Sequence, residues 1–157
     1  MSYKKRLILP KIITVVGLYS QIPVSLRDNL LGYLSESYPT MHKWNTDEFN
    51  SIHFVLRARS SNAILCYASL MRNTTRVHKI LITPDKNNTF QEIFDRLVVS
   101  IDTYLHYPHY LHFNFPLEVW KEIKRLQGYH FKDESDNESF KILDLYEAQP
   151  SEHEIIL

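Results

Sequence analysis

Three histidines, His106, His109 and His112, stand at an H-x2-H-x2-H spacing, and neutral imidazoles are good zinc ligands. Pro108 breaks any helix that would align them and no cysteine lies nearby, so they read as solvated loop and strand residues. Asp102 and His106 lie four apart at the end of a helical pattern, where a surface hydrogen bond is the commonest outcome. Cys66 sits inside a strand pattern without an activating neighbour, which predicts a buried structural thiol rather than a nucleophile. His78 shares an apolar segment with Ile80 and Ile82, and strict alternation puts all three on one face, with the imidazole partly buried. Only three glycines occur in 157 residues, so the chain lacks the bare backbone with which a Gly-rich loop approaches a phosphate.

The elements that must position these groups follow from periodicity and turn chemistry. Residues 12–18 read as a strand rich in Ile, Val and Thr. Leu26, Leu30, Leu31 and Leu34 carry helical spacing between Pro23 and Tyr38, ended by Pro39. Residues 51–59 alternate, with Ile52, Phe54, Leu56 and Ala58 on one face. Ser60-Ser61-Asn62 turns the chain into a second strand over 63–71, and a third spans 77–83, so three consecutive strands are predicted antiparallel. Thr89 and Glu92 form the reciprocal S/T-x-x-E capping pattern of a helix whose stripe is Phe90, Ile93, Phe94, Leu97, Val98, Ile101 and Leu105. Such a stripe packs a core. A short strand over 110–115 precedes a helix from Pro116 to Gln127, with Leu117, Trp120, Ile123 and Leu126 inward and Gly128 as terminator. Strands over 129–132 and 140–146 flank an acidic loop, 133–139.

Composition bounds the rest. At 44% hydrophobic, 13% aromatic and 23% charged, the chain fits one globular domain, residues 1–148, with a mobile tail over 149–157. No run reaches the roughly 18–20 apolar residues of a membrane span, and a single cysteine forms no internal disulfide. The basic start before Leu7 mimics a secretory signal, but Pro10 and Lys11 interrupt it, so a cytoplasmic or nuclear protein is expected rather than a secreted one. The N-x-[ST] sites at Asn73, Asn87 and Asn137 are then chance matches. Net charge is zero, yet the first 80 residues carry +7 and the remainder −7. A basic half could meet phosphate, although the two halves interleaving in space is the simpler reading.

The order strand, helix, three strands, helix, strand, helix, two strands resembles the GCN5-related N-acetyltransferase (GNAT) superfamily over nearly the whole chain. Three stretches carry the resemblance. Ile80-Leu81-Ile82-Thr83-Pro84 leading into a capped helix is similar to the family's fourth strand and acetyl-CoA loop. Asn114, after Tyr110-Leu111-His112-Phe113, resembles the asparagine closing the fifth strand, and Leu126-Gln127-Gly128-Tyr129 resembles the Leu-Gly-Phe that ends the last helix. The resemblance implies a single-domain α/β (α+β) fold, a mixed and mainly antiparallel sheet flanked by helices. It implies acetyl-CoA or another acyl-CoA bound along Ile82, Thr83, Asn87, Asn88 and Thr89. An amine substrate would attack the thioester held in the cleft between the fourth and fifth strands, with His78 as proton acceptor and Asn114 orienting the substrate.

The departures matter as much. The family's Arg/Gln-Gly-x-Gly-x-Gly/Ala loop corresponds here to Asn87-Asn88-Thr89-Phe90-Gln91-Glu92, which has no glycine, a bulky Phe90 and a negative Glu92 where phosphates would lie. Weak or absent acetyl-CoA binding in the usual pose is predicted. The family's tyrosine on the last helix has no counterpart, since counting from Asn114 reaches Lys121. Two functions therefore stand: a weak or specialised acyl-CoA-dependent N-acyltransferase, or a GNAT-like module that binds no cofactor and meets a protein partner. Single-stranded nucleic acid on a Tyr/Arg-rich sheet would need an exposed aromatic platform, and no RNA-recognition signature accompanies it.

Overall fold

The computed structural model describes residues 10–38, 43–133 and 140–145. The elements are β1 (Ile12–Leu18), a 3-10 turn (Tyr19–Gln21), α1 (Val24–Ser35), α2 (Thr46–Phe49), β2 (Ser51–Ala58), β3 (Ile64–Met71) and β4 (Arg76–Ile82). After these come α3 (Phe90–Tyr104), β5 (Tyr110–Asn114), α4 (Leu117–Ile123), β6 (Phe131–Asp133) and β7 (Phe140–Asp144). They form one seven-stranded sheet in the order β1-β2-β3-β4-β5-β7-β6. The expected mixed, mainly antiparallel sheet is what the chain builds: only β4 and β5 run parallel. Among the described residues no helix is long and apolar enough to cross a membrane. The expected tail over 149–157 and most of the acidic loop, 134–139, lie outside the described residues.

Each sheet face buries a separate core. The alternation of β2 works as predicted: Ile52, Phe54, Leu56 and Ala58 face α3, where they meet Ile93, Phe94, Leu97, Val98 and Ile101. On the opposite face α1 packs Leu26, Leu30 and Leu34 against Val55 and Tyr67. Each fully buried side chain of this size contributes about 1.5–3 kcal/mol relative to exposure, which fixes both helices on the sheet. The turn at Asn62 and the one at Asn73 use left-handed backbone (φ 59° and 61°), a conformation asparagine tolerates better than most residues.

Three local expectations change. Only half of the predicted box at α3 forms: Thr89 Oγ1 accepts from the Glu92 N–H at 3.1 Å, while the Glu92 carboxylate turns to Lys11 Nζ, 3.6 Å away. The last helix stops at Ile123 instead of Gln127, and Leu117 is exposed rather than inward. A latch replaces its final turn, in which Gln91 Oε1 accepts from the Gln127 N–H at 3.0 Å and Gln91 Nε2 donates to Gln127 O at 3.2 Å. Helix α2 escapes periodicity because four residues carry no stripe; Asn45 and Glu48 form its reciprocal capping box.

Candidate functional site

The site begins where β4 leaves β5. Their parallel pairing is confined to Arg76↔His112 and Val77↔Phe113; β5 ends one residue later at Asn114, while β4 runs on to Ile82. On its other side β4 stays paired with β3 to the end, and Thr83 N–H donates to Leu65 O at 2.7 Å. Hydrogen-bonding direction alternates along a strand, so Leu81 and Lys79 also present their backbone to β3. Ile80 and Ile82 present theirs to the opening. The early end of this pairing thus leaves a row of backbone donors and acceptors on β4 along one wall of a wedge.

Within that wall the register against β3 shifts, Ser69 pairing with Lys79 but Leu70 with Val77, so His78 is the extra residue of a bulge. The bulge corrects the predicted placement of His78. Val77, Ile80 and Ile82 all join the α3-side core, while His78 and Lys79 turn to the α1 side together. A regular strand would have sent these two neighbours to opposite faces.

On that side lies a carboxylate that sequence reasoning missed. Glu48 has no exposed surface, and its Oε1 pairs with Lys79 Nζ and stands 4.0 Å from His78 Nε2. Its Oε2 accepts from the Asn45 N–H at 3.3 Å, closing the cap of α2. Ser69 Oγ lies 3.3 Å from His78 Nδ1. Burial lowers the His78 pKa from its ordinary value, with the Lys79 charge acting in the same direction and Glu48 against it. A neutral imidazole results at pH 7, able to take a proton. Behind it, His53 Nε2 lies 2.7 Å from Glu48 O, and its Nδ1 lies 2.6 Å from Tyr67 Oη. A carbonyl only accepts, so the Nε2–H tautomer is set and Tyr67 donates to Nδ1. Burial lowers the His53 pKa and raises that of Tyr67.

Two tyrosines from the α1 region reach the end of β4. Tyr38 Oη donates to Ile80 O at 3.2 Å and accepts from the Ile80 N–H at 3.4 Å, so it occupies backbone groups that face the wedge. Burial pushes its phenol up to about 12. Tyr33 Oη lies 2.9 Å from Thr83 Oγ1, and burial raises its pKa as well. From the other wall Asn114 Nδ2 donates across to His78 O at 3.5 Å.

The remaining predicted cofactor residues divide. Ile82 is buried in the α3-side core by its side chain, and Thr83 is held by Tyr33. Asn87 and Asn88 belong to a loop that is already filled: Asp85 Oδ1 accepts from the Asn87 N–H at 2.8 Å, the Asn88 N–H at 2.7 Å and Asn88 Nδ2 at 3.1 Å. These bonds lower the Asp85 pKa, the Asn87 amide first among them. Thr89 spends its hydroxyl on the cap of α3. A carboxylate therefore sits on the amides that a phosphate would use, beside Glu92 and Lys11. The residues at this loop do not fit the pyrophosphate of an acyl-CoA.

Neither Cys66 nor the histidine series joins the site. Cys66 is fully buried on the α3 side, and burial pushes its thiol well above the ordinary range. His112 Nδ1 lies 2.9 Å from Thr75 Oγ1. Among the described residues no three His, Cys, Asp or Glu side chains are grouped to hold a metal.

The parallel pair that parts early, within a mainly antiparallel sheet with helices on both faces, is the arrangement that the sequence resemblance implied; the bulge in β4 is not. An acyl-CoA N-acyltransferase from Pseudomonas aeruginosa superposes with a TM-score of 0.51 at 13% identity, covering 84% of this chain and 97% of that one. The chain has a GNAT-like fold. At that identity the likeness is one of fold. A cAMP-binding acyltransferase from Mycobacterium smegmatis overlaps more loosely, with a TM-score of 0.44 and 14% identity over 92% of this chain; the chain spans about half of that protein, 48%. No family model matches the sequence, and no curated protein matches it.

Of the sequence-predicted residues, His78 and Asn114 meet at the mouth of the wedge, whereas Asn87, Asn88 and Thr89 are committed to the loop and helix cap. Glu48, Lys79, Tyr38 and Asp85 were missed. The Asn45-x-x-Glu48 pattern carried a capping signal for Glu48, but nothing local pointed it at β4, 31 residues from Lys79.

Proposed function

We propose that the chain is a weak or specialised N-acyltransferase that uses a thioester donor, with an amine as acceptor. The observation that carries this reading is the wedge itself: β4 parts from β5 at a neutral His78 whose carbonyl Asn114 reaches from the facing wall. A bound acyl-CoA would supply a thioester carbonyl that an amine can attack directly, the new C–N bond replacing the C–S bond and CoA leaving as its thiol. His78 accepts the proton that the amine gives up, and Ser69 Oγ, 3.3 Å from its ring, holds the imidazole. Asn114 orients the chain that enters between the strands. The Ile80 N–H faces the wedge and can polarise a carbonyl there once the Tyr38 hydroxyl withdraws. Cys66 takes no part.

A second reading has its own support, a GNAT-like module without cofactor that meets a protein partner. Two surfaces that a donor would need, the Asp85 loop and the Ile80 edge, are occupied by side chains of the protein itself.

Calorimetric titration with acetyl-CoA, followed by steady-state rates with amines, separates the two. Binding accompanied by turnover that falls about 100-fold or more in His78→Ala supports acyltransfer. Absence of both binding and turnover across acyl-CoAs leaves the interaction module. Turnover lost in Cys66→Ala and kept in His78→Ala overturns direct transfer.

A further inference from the structure

We infer that the outer edge of β1 is a self-association surface, on which β1 of a second copy of this chain pairs antiparallel about a two-fold axis through Thr14. β1 closes one end of the sheet and is separated from β4 by β2 and β3, so this surface is independent of the acyltransfer reading. The two ends of the sheet are built differently. β6, at the other end, spans Phe131–Asp133 and carries the charges of Lys132 and Asp133, and both its shortness and its charge discourage edge pairing. β1 runs seven residues, Ile12–Leu18, without a charge or a proline, and its register against β2 has no shift that would twist the edge away. Among the described residues no strand pairs with its outer side.

The backbone groups on that side follow from one bond. Arg59 N–H donates to Lys11 O at 2.8 Å, which makes Lys11↔Arg59 a hydrogen-bonded pair. Bonding direction alternates, so Ile13, Val15 and Gly17 also bond β2, while Ile12, Thr14, Val16 and Leu18 present N–H and C=O outward. Both ends of this row are closed. Gln21 Oε1 takes the Leu18 N–H at 2.8 Å, and Pro10 has no N–H to offer. An antiparallel copy centred on Thr14 sets Thr14 against the partner's Thr14 and Ile12 against the partner's Val16, so every outward donor and acceptor of these residues is matched. Pro10 and Leu18, which lack free donors, fall opposite each other. Centring on Ile13 or Val15 instead sets Val16 against Pro10 or Ile12 against Leu18, each with a donor missing. The side chains agree with the Thr14 axis. Val16, 40% exposed, comes to lie beside the partner's Ile12, and Lys11 falls opposite the partner's Gly17, so no like charges meet. Formal net charge is zero, which leaves little long-range repulsion between copies.

Sedimentation equilibrium on the full chain, from micromolar to near-millimolar concentration, reads the association: mass should climb from 18.7 kDa toward twice that value. Val16→Lys sets a charge beside the partner's Ile12, and Thr14→Pro removes an N–H that points away from β2. Each should weaken the dimer by about tenfold or more, whereas Leu117→Lys, at an exposed apolar position on α4, should leave it unchanged. In wild type, hydrogen exchange at the Ile12, Thr14 and Val16 amides should slow as concentration rises, while the Ile13 and Val15 amides, bonded to β2, stay protected throughout. That measurement needs no variant, so it decides the matter if Thr14→Pro or Val16→Lys fails to fold. A chain that stays monomeric, a dimer that folded Val16→Lys leaves intact, or exchange at Thr14 and Val16 that ignores concentration overturns the interface.

Discussion

Glu48→Gln removes the charge from a carboxylate with no exposed surface and nearly preserves its shape. Glutamine at the third helical position still reaches back to the Asn45 N–H in a capping box, so the loss is confined to the pair with Lys79. Breaking a buried ion pair from one side costs about 3–5 kcal/mol, because the other charge stays behind without compensation. Lys79 keeps 17% exposure on a flexible stem and can carry its ammonium toward water, which selects the lower end, about 3 kcal/mol. In a chain of 157 residues each kcal/mol moves Tm by about 2–4 °C, so a fall of about 6–12 °C is expected. Thermal melts and urea titrations followed by circular dichroism measure it. The companion Glu48→Gln/Lys79→Met removes both charges and should recover most of the loss, since neutral groups of similar volume replace buried pairs at little cost. A single variant within about 1 kcal/mol of wild type, or a double variant as unstable as the single one, would refute the reasoning.

Asp85→Gly frees the Asn87 and Asn88 amides and removes a negative charge from the loop, so acetyl-CoA affinity should tighten by about tenfold in calorimetry; unchanged or weaker binding would show that Asp85 is not what closes the loop. His53 and His78 both have pKa values below the ordinary 6.5, so between about pH 6.5 and those lowered values the unfolded chain binds more protons than the folded one. Their stabilisation is complete above about pH 6.5 and is lost as pH falls through that window; urea midpoints from pH 7.5 to 5 should decline, and less steeply in His53→Gln, with an identical slope in that variant contradicting the assignment. His106 has φ of 57° at the end of α3, where Tyr107 N–H donates to Asp102 O at 2.9 Å, so His106→Gly should stabilise by about 0.5–1 kcal/mol in urea titration. Destabilisation there would mean that the imidazole makes contacts worth more than the strain.

Legibility followed the range of the interaction. The α3 stripe and its Thr89 cap are local, and so is the alternation of β2; each repeats a period in adjacent residues, and each reappears in the structure. The final turn of the last helix was misread because Gln91, 36 residues away, takes the Gln127 amide that a helix would have used. Helix α2 was missed because four residues are too few to show a period.

The order of the strands and of the three longer helices, the apolar face of β2, the α3 stripe and the absence of glycine before α3 were determined by the sequence alone, because burial periodicity and backbone permissiveness are properties of short segments. Tertiary structure decided the rest of the site. One extra residue in β4 relative to β3 turned His78 from the face of Ile80 to the face of Glu48, and no alternation rule announces where a bulge falls. The buried Glu48–Lys79 pair, the Tyr38 hydroxyl on Ile80 and the Asn114 reach to His78 O join residues 31, 42 and 36 apart. Such contacts depend on which strands are neighbours and on the point at which β4 and β5 separate, and only the folded sheet sets either one.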